Sequence, residues 1–136
     1  ARLGAHSGEG QYIESKRNQP FDWAVNSCMD FVNGASVAMT GFGFVDDLIF
    51  KHRNALGAQR FFLVKMAGRA DPLALIDARA ARIAAPKRGA IIARKSDGQC
   101  TGYSLGVVVS RKAAFVGPNG LEFILPKPTD TVWSLW

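Results

Sequence analysis

Cys28 is the residue of this sequence best placed to do chemistry, because a helix is predicted to begin at it. Asn26 or Ser27 can cap a helix that runs from Cys28 to about Thr40. At a helix N-terminus, unpaired N–H groups and the positive end of the dipole favour the nucleophilic thiolate. A cysteine nucleophile also needs a base, normally histidine, and a group that orients this base. The alternative is that Cys28 is a small buried side chain on the apolar stripe of the helix, and the residues alone favour this alternative.

The remaining cysteine and the two histidines add no recognisable site. The spacing of Cys28 and Cys100 matches neither a zinc motif nor a disulfide scaffold, so we expect no metal and no cofactor. His6 lies near the N-terminus and His52 lies between predicted helices. Each remains an alternative base for Cys28.

The apolar pattern divides the chain into an arm, a helical part and a strand-rich part. Residues 1–19 contain several glycines and a fully polar run, which predicts a flexible N-terminal arm that becomes ordered against a partner. Helical periodicity and helix caps predict helices at 28–40, 55–67 and 71–84 and a helical turn at 46–52. From residue 89 the period changes to two, which predicts strands at 90–94, 105–110, 113–116, 121–125 and 131–136. The predicted fold class is α+β, with N-terminal helices packed on an antiparallel β-meander.

The composition is that of one globular domain. The chain has 136 residues, of which 48% are hydrophobic, and this argues against disorder. The longest uncharged run, residues 31–45, is interrupted by glycines and polar residues, so we expect no transmembrane helix. Residues 1–10 contain no apolar stretch of the kind found in a secretory signal.

The net charge of +6 comes largely from one part of the sequence. Its basic residues are Arg79, Arg82, Lys87, Arg88, Arg94, Lys95, Arg111 and Lys112. A solvated basic face is the simplest interpretation, and contact with an acidic protein surface or an anionic polymer is the alternative. Binding of duplex DNA is a third possibility, but the run carries neither interleaved aromatic residues nor a nucleic-acid-binding signature, so we do not expect a nucleic-acid partner.

Several motifs in order resemble the NlpC/P60 family of papain-like cysteine peptidases. Residues 20–24 (PFDWA) and 27–31 (SCMDF) resemble the family's Pro-Tyr-x-Trp-Gly and Asp-Cys-x-x-Phe motifs, in which the cysteine opens the first core helix. Residues 88–92 (RGAII) and 104–109 (SLGVVV) resemble two of its strands. A small family of phage and prophage proteins of this length is more similar still. It shares the Gly-Pro-x-Gly-Leu turn at 117–121 and the tryptophan at 133, and its genes typically lie in the tail-assembly cassette.

The departures from the family pattern bear on activity. Phe21 stands where the family has the tyrosine that supports the oxyanion region, and Ser104 stands where it has the base histidine. Ser27 replaces the aspartate before the nucleophile, and the orienting position falls in the apolar residues 113–116. Only Cys28 of the catalytic set remains, and losing one member already costs orders of magnitude in rate.

The resemblance therefore implies an NlpC/P60-like domain over residues 20–136 that acts as a pseudoenzyme. The implied role is that of a structural component of a phage tail tip or baseplate, which docks neighbouring tail proteins after synthesis in the bacterial cytoplasm. The alternative is an active peptidoglycan-degrading cysteine peptidase of the tail, with Cys28 as nucleophile and a base from His52 or from a partner. Under either implication the expected location is the virion.

Overall fold

The computed structural model describes residues 2–22, 26–49, 57, 73–96 and 102–135, with the side chains of the first helix described from Gly8 onward. The helical elements are α1 (Arg2–Lys16), α2 (Cys28–Thr40), a 3-10 turn (Asp46–Leu48) and α3 (Leu73–Asp77). The strands are β1 (Ala81–Ile83), β2 (Ile91–Lys95), β3 (Tyr103–Val108), β4 (Ala113–Gly117), β5 (Gly120–Ile124) and β6 (Thr131–Ser134). The predicted helix at 55–67 falls outside the described residues, apart from a helical Gly57.

The strands form one antiparallel sheet in the order β1-β6-β2-β3-β4-β5. Strands β2 to β5 are a meander, as the period-two pattern predicts. Strand β6 departs from it, because it returns to pair between β1 and β2. The α+β class, with helices and an antiparallel sheet, is thus confirmed.

The two faces of the sheet belong to different cores. Leu105 and Val107 of β3 pack in the main core with Phe31 and Val32 of α2. Val108, which points the opposite way on β3, packs in a smaller core on the other face. Odd-numbered residues of β3 therefore face the helices, and even-numbered residues face away from them.

Helix α2 matches its predicted bounds, because both of its ends carry strong signals. Ser27 caps it and forms a capping box with Asp30, while Gly41 closes it in the left-handed conformation at φ 83°. The predicted stripe is buried, and Phe31, Val32 and Ala35 are fully excluded from solvent.

Residues 2–16 differ from the predicted arm, because they form helix α1 and pack on α2. Gly8 lies so close to α2 that a Cβ atom there would stand 2.2 Å from the Ala38 carbonyl oxygen. Further along, the Tyr12 hydroxyl donates a hydrogen bond of 2.9 Å to the Phe31 carbonyl oxygen. Because the contacts step backwards along α2 as α1 advances, the two helices are antiparallel. Burial of Ile13 completes this interface, so α1 belongs to the folded body.

The predicted helix at 71–84 is also corrected, because α3 ends at Asp77 and β1 follows it. Arg82 of β1 pairs with Trp133 of β6, and Ile83 pairs with Val132. The Trp133 Nε1 atom donates a hydrogen bond of 2.8 Å to Asp77 Oδ1. Pairing with a strand about fifty residues away therefore overrides the local helical period.

Glu9 of α1 carries a fully buried carboxyl group. Its Oε1 atom accepts a hydrogen bond of 3.2 Å from Arg88 Nε, whereas Oε2 has no hydrogen-bond partner. Burial raises the pKa of Glu9 above its ordinary value of 4.5, against the opposing effect of Arg88. The folded chain therefore binds this proton more tightly than the unfolded chain does.

We expect the Glu9 contribution to stability to fall as the pH rises from 4.5 through the higher native pKa. The Glu9→Gln variant should remove this slope and should be the more stable protein at neutral pH. Urea unfolding of both proteins between pH 4 and pH 8 measures the difference. A constant difference across that range would contradict the raised pKa.

Candidate functional site

Cys28 is the first residue of α2, half-buried and packed against the main core. In the capping box beside it, the side chains and backbone N–H groups of Ser27 and Asp30 bond to one another. Ser27 Oγ accepts from the Asp30 N–H at 3.3 Å, and the Asp30 carboxylate accepts from the Ser27 N–H at 2.9 Å and from its hydroxyl at 2.8 Å. The Asp30 carboxylate already complements the positive end of the helix dipole.

The segment before α2 holds Cys28 at one end of the sheet. The Phe21 N–H donates to the Gly117 carbonyl oxygen at 2.9 Å, which ties this segment to the end of β4. Buried Asn26 folds back on it, since its Nδ2 donates to the carbonyl oxygen of Pro20 at 2.9 Å. Because β3 and β4 are antiparallel, β3 begins at the same end. Phe21 therefore lies at the end of the sheet at which β4 ends and β3 begins.

Ser104 lies on the face of the sheet that points away from α2. It is directly opposite Arg94 in the β2–β3 pairing, and the two residues line a cleft of about 300 Å³ with Phe115 and Ile124. Both of these apolar residues belong to the smaller core, not to the core that Cys28 contacts. Ser104, which the resemblance puts in the place of the base histidine, therefore lies on the face of the sheet opposite to the core that Cys28 contacts.

Tyr103, not Ser104, is the residue at the start of β3 that packs against the same core as Cys28. Sequence reasoning missed Tyr103 because the resemblance of residues 104–109 to a family strand put Ser104 at the position of the base histidine. The signal was nevertheless present, since Leu105 and Val107 form an apolar alternation that extends back to Tyr103.

The antiparallel packing of α1 on α2 bears on whether His6 can be the base for Cys28. His6 precedes Gly8, which lies against Ala38 near the C-terminal end of α2. Ten residues separate Ala38 from Cys28, which corresponds to about 15 Å along the helix axis. The helical backbone at residue 6 therefore lies towards the C-terminal end of α2, at the end opposite to Cys28. His52 lies outside the described residues.

Much of the basic sequence cluster is neutralised by carboxylates from other parts of the chain. Its ion pairs are Arg79–Asp47, Arg82–Asp77, Arg88–Glu9 and Arg94–Asp130. The last pair is the most enclosed, with the Asp130 side chain 2% exposed. Burial opposes ionisation of Asp130, but hydrogen bonds from Arg94 and from the Lys127 N–H outweigh it and hold its pKa below the ordinary value. A continuous basic face therefore does not form from these residues.

The described part of the chain offers neither a metal-binding cluster nor a membrane-spanning helix. Among residues 2–22, 26–49, 73–96 and 102–135, no group of three or more His, Cys, Asp or Glu side chains is arranged to hold a metal ion. No helix in those ranges is long and apolar enough to cross a membrane.

Comparison with known proteins gives a family without an assigned activity. No curated protein matches the chain at a significant level. Residues 5–135 match the family described as Domain of unknown function (DUF6950). That match begins inside α1 and ends after β6, so it includes the helix that sequence reasoning had assigned to an arm. The chain therefore belongs to the DUF6950 family.

Proposed function

We propose that the chain is a structural component of a phage tail tip or baseplate, built on a degenerate NlpC/P60 fold, which docks neighbouring tail proteins. The order of motifs supports the tail context and the NlpC/P60 relationship. The arrangement around Cys28 supports the proposal that activity has been lost. The cysteine opens a helix whose polar end is occupied by Ser27 and Asp30, and Ser104 lies across the sheet.

An active cell-wall peptidase remains the second candidate, because Cys28 is half-buried at the start of a helix that packs on a sheet. Such a helix end can lower the pKa of a thiol in general. This candidate requires a base from His52 or from another protein. It predicts cleavage of peptidoglycan fragments that disappears in the Cys28→Ser variant.

We expect Cys28→Ala to cost about 1 kcal/mol or less of the free energy of unfolding, because little volume is lost. Phage particles that carry Cys28→Ala should assemble and infect as the parent does. Chemical denaturation and plaque counts measure the two effects. A stably folded Cys28→Ala protein that abolished infection would show that the thiol does chemistry.

The tail assignment is tested directly by the composition of particles. Virions purified from a strain that encodes the chain should contain it, and mass spectrometry of density-banded particles detects it. A chain that accumulates in the lysate and is missing from infectious particles would contradict the structural role. Cleavage of peptidoglycan by the purified chain would favour the peptidase.

A further inference from the structure

We propose that the chain binds an acidic peptide segment of a neighbouring protein at a basic depression beside the edge of the sheet. The depression has a volume of about 480 Å³. It is lined by Arg17, Val109, Ser110, Arg111, Lys112 and Phe123. The inference rests on the proposed docking function for the source of the peptide, but the binding itself is a property of the isolated chain.

The charge of the depression differs from that of the rest of the basic cluster. Arg79, Arg82, Arg88 and Arg94 each have a carboxylate partner. Arg111 and Lys112 form no ion pair with any residue in the described part of the chain. They are adjacent and exposed in the β3–β4 turn, which is closed by a hydrogen bond of 2.8 Å from the Val109 N–H to the Lys112 carbonyl oxygen. The turn therefore presents two unneutralised cations to an external anion.

Arg17 adds a third cation, and its position is restrained. It follows the end of α1, and its guanidinium lies 5.5 Å from the centroid of the Phe123 ring. Its Nε atom forms an ion pair of 3.2 Å with Glu14, and no hydrogen bond within the described part of the chain engages its Nη groups, which can donate to a ligand. A guanidinium held in this way can present two parallel donors to a carboxylate.

The apolar residues of the depression favour a peptide over other anions. Val109 and Phe123 both pack at the margin of the main core, and Val109 offers an apolar contact for one side chain beside the Phe123 ring that Arg17 covers. The face of Phe123 that a nucleobase would stack on is occupied by Arg17, which argues against single-stranded nucleic acid. Arg17, Arg111 and Lys112 are all exposed, so the depression lacks the enclosed donors that hold a small inorganic anion. Several carboxylates spaced along one flexible chain match this arrangement best.

The edge of the sheet leaves room for such a segment. Phe123 belongs to β5, and β5 is the last strand of the described sheet. The carbonyl oxygen of Arg17, which follows α1, accepts the Leu121 N–H at 2.9 Å and so covers the beginning of that edge. A peptide that approaches the depression from β5 therefore meets no other described strand.

Fluorescence anisotropy with the full chain tests the proposal. The probe is a labelled heptapeptide with four glutamates around one leucine, and its matched control has glutamines in place of the glutamates. We expect binding of the acidic peptide that weakens with salt, and little binding of the control. The Arg111→Ala/Lys112→Ala variant should bind about fivefold more weakly or worse. The Lys95→Ala/Lys127→Ala variant, which removes two exposed cations from other places, should bind as the parent does.

Reversing the charges of the turn and of the peptide together tests charge complementarity and not the particular peptide sequence. Arg111→Glu/Lys112→Glu should reject the acidic peptide and bind the same sequence with lysines in place of glutamates. Equal loss in both double alanine variants, or tighter binding of a DNA duplex or of inorganic phosphate at the depression, would overturn the proposal. Failure of peptide binding by a chain that is present in virions contradicts this inference alone. Peptide binding by a chain that is absent from virions contradicts the structural role alone.

Discussion

Replacing Gly8 by alanine should destabilise the chain by about 1–3 kcal/mol, the usual cost of inserting a methyl group into a packed interior. The added Cβ would stand 2.2 Å from the Ala38 carbonyl oxygen, and backbone atoms cannot yield as the end of a flexible side chain can. Helices α1 and α2 would have to separate, which would also disturb the hydrogen bond from Tyr12 to Phe31. Urea unfolding followed by circular dichroism measures the change.

Gly10→Ala is the matched control in the same helix. A Cβ atom at Gly10 meets nothing within 4 Å, so the substitution adds helix propensity without a clash. It should stabilise the chain by up to about 1 kcal/mol. Opposite signs for the two variants are the signature of a packed α1. If both variants left the unfolding curve unchanged, residues 2–16 would be an arm after all.

Trp133→Ala should cost about 3–5 kcal/mol, the range for removing a buried large aromatic side chain. Trp133 is fully buried and pairs with β1 on one side and β2 on the other. Its Nε1 atom also holds Asp77 at the end of α3. Since small domains are stable by only about 5–15 kcal/mol, this substitution should remove a large part of the total. Thermal and chemical unfolding measure the loss.

One further variant separates the effects of volume and hydrogen bonding at Trp133, and another serves as a control at an exposed ring. Trp133→Phe keeps an aromatic ring but loses the bond to Asp77, so it should cost less than the alanine variant. Phe42→Ala removes a ring that is 78% exposed and should change stability by less than about 0.5 kcal/mol. A Trp133→Ala protein as stable as Phe42→Ala would show that β6 does not insert between β1 and β2.

Local signals were sufficient for α2 and for the meander. Ser27 and Gly41 mark the ends of α2, and its apolar stripe lies on the buried face. The turn at 117–120 and the alternation around it place β4 and β5 correctly. In each case the residues that specify the element lie within it or directly beside it, so no distant contact is needed to predict it.

Helix α1 and strand β1 were missed because distant contacts stabilise them. Glycines lower helix propensity, and Gly8 and Gly10 make residues 2–16 look like a flexible segment. Gly8 is nevertheless what allows α1 to approach α2 closely. Strand β1 likewise depends on β6, and nothing near Ala81–Ile83 indicates that partner. Gly8 therefore indicates a flexible segment when it is judged from the sequence, and close helix packing once its neighbour Ala38 is known.

The site was predicted in part. Cys28 and its cap lie where the helix signals placed them. Ser104 was misplaced by the parity of one strand, because a shift of one residue along β3 moves a side chain to the other face. The basic cluster was overestimated because its carboxylate partners, such as Glu9 and Asp130, come from distant parts of the sequence.

The insertion of β6 between β1 and β2 sets an order on folding during synthesis. The meander from β2 to β5 pairs neighbours in sequence, so it can form while the ribosome is still making later residues. Strand β1 emerges before all of them, yet its neighbour in the sheet is made last. Until Thr131–Ser134 are released, both β1 and the outer edge of β2 expose unpaired backbone groups. The nascent chain therefore passes through a stage with an open, apolar sheet edge, and this stage is when it is most prone to aggregate or to need a chaperone.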